Sequence, residues 1–282
     1  MYNVIFESDN GDKYVFGTNG NTVFDMDFGN GVSVNVGTSQ GFEQVGETVQ
    51  SRTISGRTIN VSGAVYGDIP TRKKAMRNII SPLAFGRLIF ENQYYTRVYV
   101  KNAPTFSPVK NNGKFSLQFF APFPFFYSVN SQISEIGIVK PMFSFPVNYN
   151  IPHKFGEKSA ARYNNIVNRG DVKVPFSVYL QASGPSNNIV ITNLATFKIL
   201  KINGLLKDGD HMIVYRDNEN VLRAELTSDG ITSDVVHWID EKSELFELDV
   251  GDNFISVNDD EDGVNLIAKI TFSPAVVALY ES

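Results

Sequence analysis

Residues 55–90, SGRTINVSGAVYGDIPTRKKAMRNIISPLAFGRLIF, decide the fold of the first half of the chain. The stretch begins with apolar and polar residues in alternation from Ile59 to Val65, which is the periodicity of a half-buried β-strand. It continues into a pattern typical of an amphipathic helix over 69–81. A strand that leads directly into a helix predicts a mixed β domain that carries one helix.

The predicted helix has its own start and stop signals. Asp68 is a suitable N-cap, and Pro70 fits the first turn, where its missing N–H costs nothing. Pro82 ends the helix. One face is apolar and is expected to pack on the first sheet; it comprises Ala75, Met76, Ile79, Ile80 and Leu83. A phosphate site at Arg72-Lys73-Lys74 is an alternative use of the basic residues, but a solvated helix face is the better interpretation.

Strand patterns and turn signals fill the rest of the chain. Alternating apolar residues recur in further runs, which span 32–36, 115–119, 174–180, 197–199 and 264–272. Turn-forming pairs lie between the runs, namely Asn10-Gly11, Asn30-Gly31, Asn112-Gly113, Asn203-Gly204 and Asp208-Gly209. Many short strands with turns at this spacing are typical of sandwiches and barrels.

Two domains are expected, and the predicted fold class is mainly β. Residues 1–130 are predicted to form a mixed β-barrel or sandwich domain with one α-helix, and residues 131–282 a β-sandwich of the jelly-roll or galectin-like kind. The boundary is expected between residues 128 and 145, because the proline- and aromatic-rich APFPFFYS (121–128) precedes a polar stretch. The net charge also changes, from +3 over residues 1–130 to −8 over residues 131–282. Ordinary surface variation explains this difference equally well.

Composition excludes several classes of function. The chain has no cysteine, so disulfides, thiolate metal sites and thiol nucleophiles are ruled out. The formal net charge of −5 argues against specific nucleic-acid binding, which needs a basic surface that displaces counterions. No apolar run approaches the roughly 18 residues of a membrane span, and the N-terminus lacks the pattern of a signal peptide. A soluble protein without membrane insertion is expected.

No arrangement of side chains indicates catalysis, a metal site or a cofactor. His153, His211 and His237 are scattered singly, and no two have the spacing of a helical metal pair. Residues 258–263 match the opening of an EF-hand loop, but Lys269 stands where the bidentate glutamate should be. A solvated hairpin tip is therefore the better interpretation. For Trp238, the one tryptophan, a core position is expected, and stacking on a sugar ring is the alternative.

The order and spacing of several motifs resemble the distal tail proteins of long-tailed phages, the siphophages. Residues 55–90 resemble that family's strand, single helix and P-L-x-x-G-x-L passage into the next strand. Residues 94–108 and 114–128 resemble its closing strands and its proline-aromatic exit. More loosely, residues 164–185 resemble the N-x-G-D opening of its C-terminal sandwich, and residues 245–257 its late L-x-x-G-x-N hairpin. The resemblance covers most of the chain, and none of these motifs is catalytic.

This resemblance implies a structural role in a phage or prophage, and no enzyme activity. It implies a six-subunit ring at the distal end of the tail tube, with the N-terminal domains in the ring and the C-terminal sandwiches projecting outward. The implied partners are other copies of the chain, the tail tube protein and the tail-tip hub or tail-associated lysin protein. A receptor-binding protein is a further candidate partner. The implied location is the tail tip of the virion, after assembly in the cytoplasm of the bacterial host.

Three alternatives to this role stay open. A carbohydrate-binding or receptor-binding adhesin of the tail tip needs a solvent-facing aromatic platform, and the family's saccharide-binding members carry an extra inserted domain for which this chain has no room. A tail-tip hydrolase has no nucleophile motif, cysteine or paired histidine to support it. A tail tube protein has a related β fold but seldom carries a second sandwich of this size.

Residues 39–51, SQGFEQVGETVQS, lie between two predicted strands and are long for a hairpin turn. Long loops in compact domains tend to be functional or disordered. If the chain forms a ring, this segment is expected to reach a neighbouring subunit or the tube lumen. Its apolar residues Phe42, Val45 and Val49 are the candidate contacts, and a mobile surface loop without a partner is the alternative.

Overall fold

The computed structural model divides the chain into two units. It describes residues 3–17, 22–28, 31–109, 112–136, 139–141, 156–158, 163–217, 220–243, 246–260 and 265–279. The first unit comprises residues Met1–Asn130 and Ala275–Ser282, and the second comprises Ser131–Pro274. Strands dominate both units, and one α-helix is present among the described residues. The expectation of a mainly β fold is confirmed.

Antiparallel strands and one helix build the first unit. Its elements are β1 (Val4–Ser8), β2 (Lys13–Phe16), β3 (Thr22–Asp27), β4 (Val34–Ser39), β5 (Thr48–Ile54), β6 (Arg57–Val65), α1 (Ile69–Ile79), β7 (Phe85–Phe90), β8 (Tyr94–Phe106), β9 (Lys114–Ala121) and β10 (Phe126–Ser128). The main sheet has the order β2-β1-β7-β8-β9-β6-β3, and β10 pairs with β8. The strand of the fold-deciding stretch, β6, therefore lies inside the sheet between β9 and β3.

Helix α1 packs on the core of the first unit. Asp68 is its N-cap, and the carboxylate accepts a hydrogen bond from the backbone N–H of Thr71 (3.4 Å). Met76 and Ile80 are fully buried, and Ile79 packs against the same cluster of buried side chains. The predicted helix, its cap and the packing of these three residues are confirmed.

Two residues expected on the apolar face of α1 lie elsewhere. Ala75 is exposed, because the face that meets the core is narrower than the sequence pattern suggested. Leu83 lies in the turn after Pro82 and is 93% exposed. The helix ends at Ile79, two residues earlier than predicted, because Ile80 has left the helical conformation (φ −98°, ψ 62°).

Strands β4 and β5 form a separate two-stranded sheet. They pair from Val34↔Ile54 to Ser39↔Thr48, with a bulge beside Gly37. Ser39 and residues 48–51 of the expected loop at 39–51 are therefore strand, and residues 40–47 connect the two strands. Val34 and Val36 were expected on the buried side of a half-buried strand, but about half of each side chain is exposed, because none of the described residues forms a second layer over them. We call residues 34–54 the arm.

The second unit is a β-sandwich. Its elements are β11 (Gln132–Ile136), β12 (Val139–Pro141), β13 (Gly156–Lys158), β14 (Tyr163–Asn168), β15 (Phe176–Ala182), β16 (Ile189–Asn193), β17 (Ile199–Ile202), β18 (His211–Arg216), β19 (Leu222–Ser228), β20 (Ile231–Asp234), a 3-10 turn (Val236–Trp238), β21 (Gly251–Asn258) and β22 (Leu266–Phe272). One sheet has the order β11-β22-β15-β18-β19-β20, a second the order β14-β21-β16-β17, and β12 pairs with β13. Alternate residues of both larger sheets are buried, which gives the unit its core.

Two buried asparagines explain the polar motifs of the second unit. Asn168 accepts a hydrogen bond from the backbone N–H of Gly170 and donates to the carbonyls of Val172 and Leu248. Asn253 accepts from the N–H of Asp249 and donates to three carbonyl oxygens, those of Ile166, Asp249 and Gly251. Each side chain forms hydrogen bonds with backbone groups of the turn that would otherwise lack a partner. The N-x-G-D and L-x-x-G-x-N motifs are therefore structural.

The end of the chain returns to the first unit. Strand β23 (Ala275–Val276) pairs with β10, and Val276 and Leu279 pack against the core of that unit. The guanidinium of Arg57 lies 4.9 Å from the centroid of the Phe126 ring and donates to the carbonyl of Val277 (3.1 Å). Burial lowers the pKa of Arg57 from its ordinary value. The second domain was expected to run to residue 282, whereas this last segment completes the first unit.

Replacing Gly204 with alanine is expected to destabilise the second unit by about 1–3 kcal/mol, the usual cost of overpacking. A Cβ at this position would lie 1.9 Å from Cε3 of Trp238, so the half-buried indole has to move. Because the chain has one tryptophan, its emission spectrum reports the movement directly, alongside the unfolding free energy. The same substitution made together with Trp238→Leu should cost less, and an equal cost in both backgrounds would contradict the packing described.

Candidate assembly surface

One face of the arm is largely apolar, with Arg52 and Thr38 also on it, and it is exposed to solvent among the residues that the structure describes. Directly paired residues share a face of a two-stranded sheet, and the pairs Val34↔Ile54, Val36↔Arg52 and Thr38↔Val49 alternate with the other pairs. Four β-branched aliphatic side chains therefore lie together on this face, and each is at least half exposed. Exposed apolar surface of this kind marks an interaction site or an aggregation hazard.

The opposite face of the arm is polar and uncharged. It is formed by the pairs Asn35↔Thr53, Gly37↔Ser51 and Ser39↔Thr48. Polar side chains of the arm form hydrogen bonds with each other and with Ser55 at its base. Asn35 donates to the hydroxyl of Ser55 (2.7 Å), and Gln50 donates to the hydroxyl of Ser39 (2.7 Å). An isolated two-stranded hairpin is marginally stable in water. A partner that covers the apolar face of this strand pair would therefore stabilise it.

The three candidate contacts lie where the arm is most exposed. Phe42 is 95% exposed and Val45 is fully exposed at the connection between β4 and β5, and Val49 is 55% exposed on the apolar face. Hydrogen bonds of Gln44 to Gly41 (2.8 Å) and to Thr48 (2.9 Å) order this tip. The structure thus brings two of the candidates to the tip and one to the apolar face, and their burial by a partner stays a prediction.

A second exposed apolar surface lies on the main sheet of the first unit, and sequence analysis missed it. Phe85, Tyr99 and Phe120 are direct neighbours across β7, β8 and β9, and between a third and a half of each is exposed. The Phe85 and Tyr99 rings stack with centroids 5.8 Å apart. We call these three residues the aromatic row. The only sequence signal was that each is the outward member of an alternating strand.

Beside the aromatic row, the same sheet face carries a ladder of amides. Asn102 donates to Gln118 (2.6 Å), Gln118 to Asn60 (2.7 Å), and Asn60 approaches Asp27 (3.4 Å). The ladder crosses β8, β9, β6 and β3, so this part of the outer face is polar. The aromatic row therefore stands out as an apolar surface beside a polar one.

The residues considered for metal or phosphate chemistry have structural explanations. Within the described ranges no cluster of three or more histidine or carboxylate side chains has the geometry to hold a metal ion. Lys269, at the last EF-hand position, pairs with Glu135 (2.9 Å), and residues 261–264 and His153 lie outside the described residues. On α1, the cationic groups of Lys73 and Arg77 both lie about 5 Å from the ring centroid of Phe106, which fits a packed surface.

The remaining aromatic candidates lie in the second unit. Trp238 is half-buried with its six-membered ring against Gly204, so it is neither a core residue nor an open platform. Tyr163 and Phe254 are partly exposed, with ring centroids 6.4 Å apart, and the adhesin alternative rests on such residues. None of the helices described is long and apolar enough to cross a membrane.

Comparison with known proteins places the fold. Residues 9–121 match the family model of the phage tail protein RIFT-related domain, Sipho_tail. Among solved structures, the chain is similar to the Dit protein of phage SPP1, described as a paradigm of the hub adsorption apparatus of phages that infect Gram-positive bacteria. The identity is 11%, the TM-score is 0.68, and the match covers 98% of this chain and 99% of that one. No curated protein sequence matches the chain.

A second similarity concerns a phage baseplate. A chain of the phage P2 baseplate, in its activated conformation with Ca, has 15% identity and a TM-score of 0.57, and 97% of this chain and 98% of that one are covered. The structure with Sr gives 14% and 0.56 over the same shares. At these identities the similarities establish the fold.

The family match identifies a phage tail domain in part of the chain, and the solved structures show that the whole chain has the fold of phage Dit and baseplate proteins. The phage tail protein RIFT-related domain lies in the first unit, at residues 9–121, and the chain as a whole is similar in fold to the SPP1 Dit protein. The resemblance seen in the sequence is confirmed.

Proposed function

We propose that the protein forms a homohexameric ring that joins the tail tube to the tail-tip hub and the receptor-binding apparatus. The observation that carries this proposal is the arm, an amphipathic strand pair whose apolar face and tip are exposed in the single chain. A ring is a heterologous assembly in which each subunit presents one surface to the next. The arm is a separate two-stranded sheet within the phage tail domain, and its exposed face fits that task.

The neighbours in this proposal are the tail tube protein on one side and the hub or tail-associated lysin protein on the other. The first unit forms the ring, and the second unit projects outward, where a receptor-binding protein is able to bind it. The protein acts at the tail tip of the virion, after assembly in the host cytoplasm, by holding other proteins in place. It needs no catalytic group and no cofactor for this role.

The uncharged polar face of the arm suits the wall of a channel through which DNA passes. Phosphate binding depends on lysine and arginine side chains that release counterions. The polar face of the arm carries only hydroxyl and amide groups and a glycine. A wall made of such groups stays hydrated and holds no phosphate.

Replacing Val36, Val49 and Ile54 of the apolar face with serine is expected to abolish assembly, because the interface loses its apolar contacts. The mass of the particles, measured by light scattering or native mass spectrometry at high protein concentration, should fall from the ring to one chain. The matched control changes Asn35, Ser51 and Thr53 on the polar face to alanine and should leave the ring intact.

A shortened tip tests Phe42 and Val45 in the same way. Residues 40–47 are replaced by Asn-Gly, which forms the tight turn that a two-residue hairpin connection needs. A ring that survives both the apolar-face variant and the shortened tip would refute the role of the arm. A wild-type chain that stays monomeric at every concentration would refute self-assembly.

A further inference from the structure

The arm has a complementary surface on the first unit. In a ring, each interface joins two different surfaces: one surface of a subunit contacts a different surface of the next subunit. On the outer face of the main sheet, the aromatic row provides three neighbouring exposed apolar side chains. Gly56, two residues beyond the arm, lies against Phe120, since a Cβ there would be 2.5 Å from its Cζ. The row is therefore continuous with the base of the arm.

Leu83 extends this surface and shows backbone strain. It precedes β7, is 93% exposed and has φ +68°, a conformation that favours glycine or asparagine. The N–H of Ala84 bonds to the carbonyl of Ser81 (3.1 Å) across the turn that holds it. A bulky apolar side chain kept in a strained and exposed position is typical of functional sites. We call Leu83 and the aromatic row the acceptor surface.

Charge favours the arm as the occupant of the acceptor surface. Next to the row, Arg87 and Arg97 are directly opposed across β7 and β8, and like charges in this position destabilise a sheet. Arg87 is paired with Glu7 (2.6 Å). The tip of the arm carries Glu43 and Glu47 and no basic residue. An acidic tip that approaches from another copy would balance this cationic pair.

We propose that the apolar face of one arm packs on the acceptor surface of the next copy, with the acidic tip beside Arg97. The partner is a second copy of this chain, so the inference rests on the proposed self-assembly. At each interface of the ring, the apolar face of one arm and the acceptor surface of the next copy, both exposed in the single chain, become buried.

A mixing experiment tests this pairing. One variant, the donor-dead chain, loses the apolar face of the arm through Val36→Ser, Val49→Ser and Ile54→Ser. The other variant, the acceptor-dead chain, loses the acceptor surface through Leu83→Gly and Tyr99→Ser. Each alone should be monomeric, because a closed ring needs both surfaces on every subunit. Mixed in equal amounts they should form a 1:1 dimer, in which the intact arm of one chain lies on the intact acceptor surface of the other. Native mass spectrometry distinguishes the three species.

The outcomes separate this inference from the proposed function. A wild-type chain that assembles while the mixture stays monomeric, or an acceptor-dead chain that still forms rings, overturns the acceptor surface and leaves the ring proposal standing. A wild type that never assembles overturns both. Leu83→Gly relieves strain, so this single variant should be at least as stable to heat as the wild type; its loss of assembly, with a cooperative unfolding transition retained by the acceptor-dead chain, shows that the loss is not due to misfolding.

A cysteine pair tests the same contact without removing apolar groups. The natural chain has no cysteine, so a chain with Val36→Cys and another with Tyr99→Cys can form a disulfide only with each other or with themselves. Oxidation of the mixture should give the mixed disulfide as the main product. The control, Asn35→Cys on the polar face, should give far less, and equal yields would overturn the proposal.

Discussion

Met76→Asp is expected to unfold the first unit. The side chain is fully buried in the core beneath α1, within a cluster of hydrophobic residues. A carboxylate placed in this position either stays charged without a partner or takes up a proton, and both cost free energy. The loss should exceed about 4 kcal/mol, which lies in the exceptional range for single substitutions. Chemical denaturation, with hydrogen exchange to assign the transition to residues 1–130, measures it.

The matched control introduces the same residue one position earlier. Ala75 is exposed on the same helix, so Ala75→Asp should cost only the difference in helix propensity, about 0.7 kcal/mol or less. A Met76→Asp chain within about 1 kcal/mol of the wild type would show that α1 does not dock as described.

Asn253→Ala is expected to cost the second unit at least about 3 kcal/mol. It removes one hydrogen bond accepted by the side chain and the donor to three carbonyl oxygens, at a residue that is 1% exposed. Each buried group left without a partner costs about 1–3 kcal/mol. Asn253→Asp should be at least as harmful, because a carboxylate would face the same carbonyl oxygens. Urea unfolding gives the change in free energy.

Asn165 supplies the control for Asn253. It lies on β14 beside β21, and its exposed amide donates to Asp252 (2.8 Å). Asn165→Ala should stay within about 0.5 kcal/mol of the wild type, as is usual for surface positions. Equal losses at both positions would mean that the buried network does not stabilise the turn.

Local patterns predicted the parts of the fold whose partners lie close by in the chain. The helix was predictable because Asp68, Pro70 and Pro82 mark its ends and Met76, Ile79 and Ile80 define its buried side. These signals act within one or two turns, so they need no knowledge of the remaining structure. The alternating strand patterns were equally direct evidence of a mainly β fold.

The arm shows where the same logic fails. Val34 and Val36 alternate with polar residues, which predicts a half-buried strand, yet both are exposed in the chain. Periodicity states that one face of a strand is apolar and cannot state whether its cover comes from the same chain. Under the ring proposal, the pattern describes an assembled state that a single chain does not contain.

The aromatic row and the last strand were missed for other reasons. Phe85, Tyr99 and Phe120 come together only through the pairing of three strands, and the sequence places them 14 and 21 residues apart. Strand β23 has two residues, too few to show any periodicity. Its place is set by contacts with β10, more than 140 residues earlier in the chain.

The return of the chain end to the first unit has a consequence for the order of synthesis. Ribosomes add about 5–20 residues per second, so Ala275 follows Ser128 after an interval on the order of 10 s. During that interval Arg57 has no Val277 carbonyl to bind, and β10 has one neighbour instead of two. A prematurely terminated chain can complete neither this contact nor this strand pair. The first unit is therefore complete only after the segment that contains Ala275–Val276 and Val277 has been synthesised, so we expect it to reach its final stability late in synthesis.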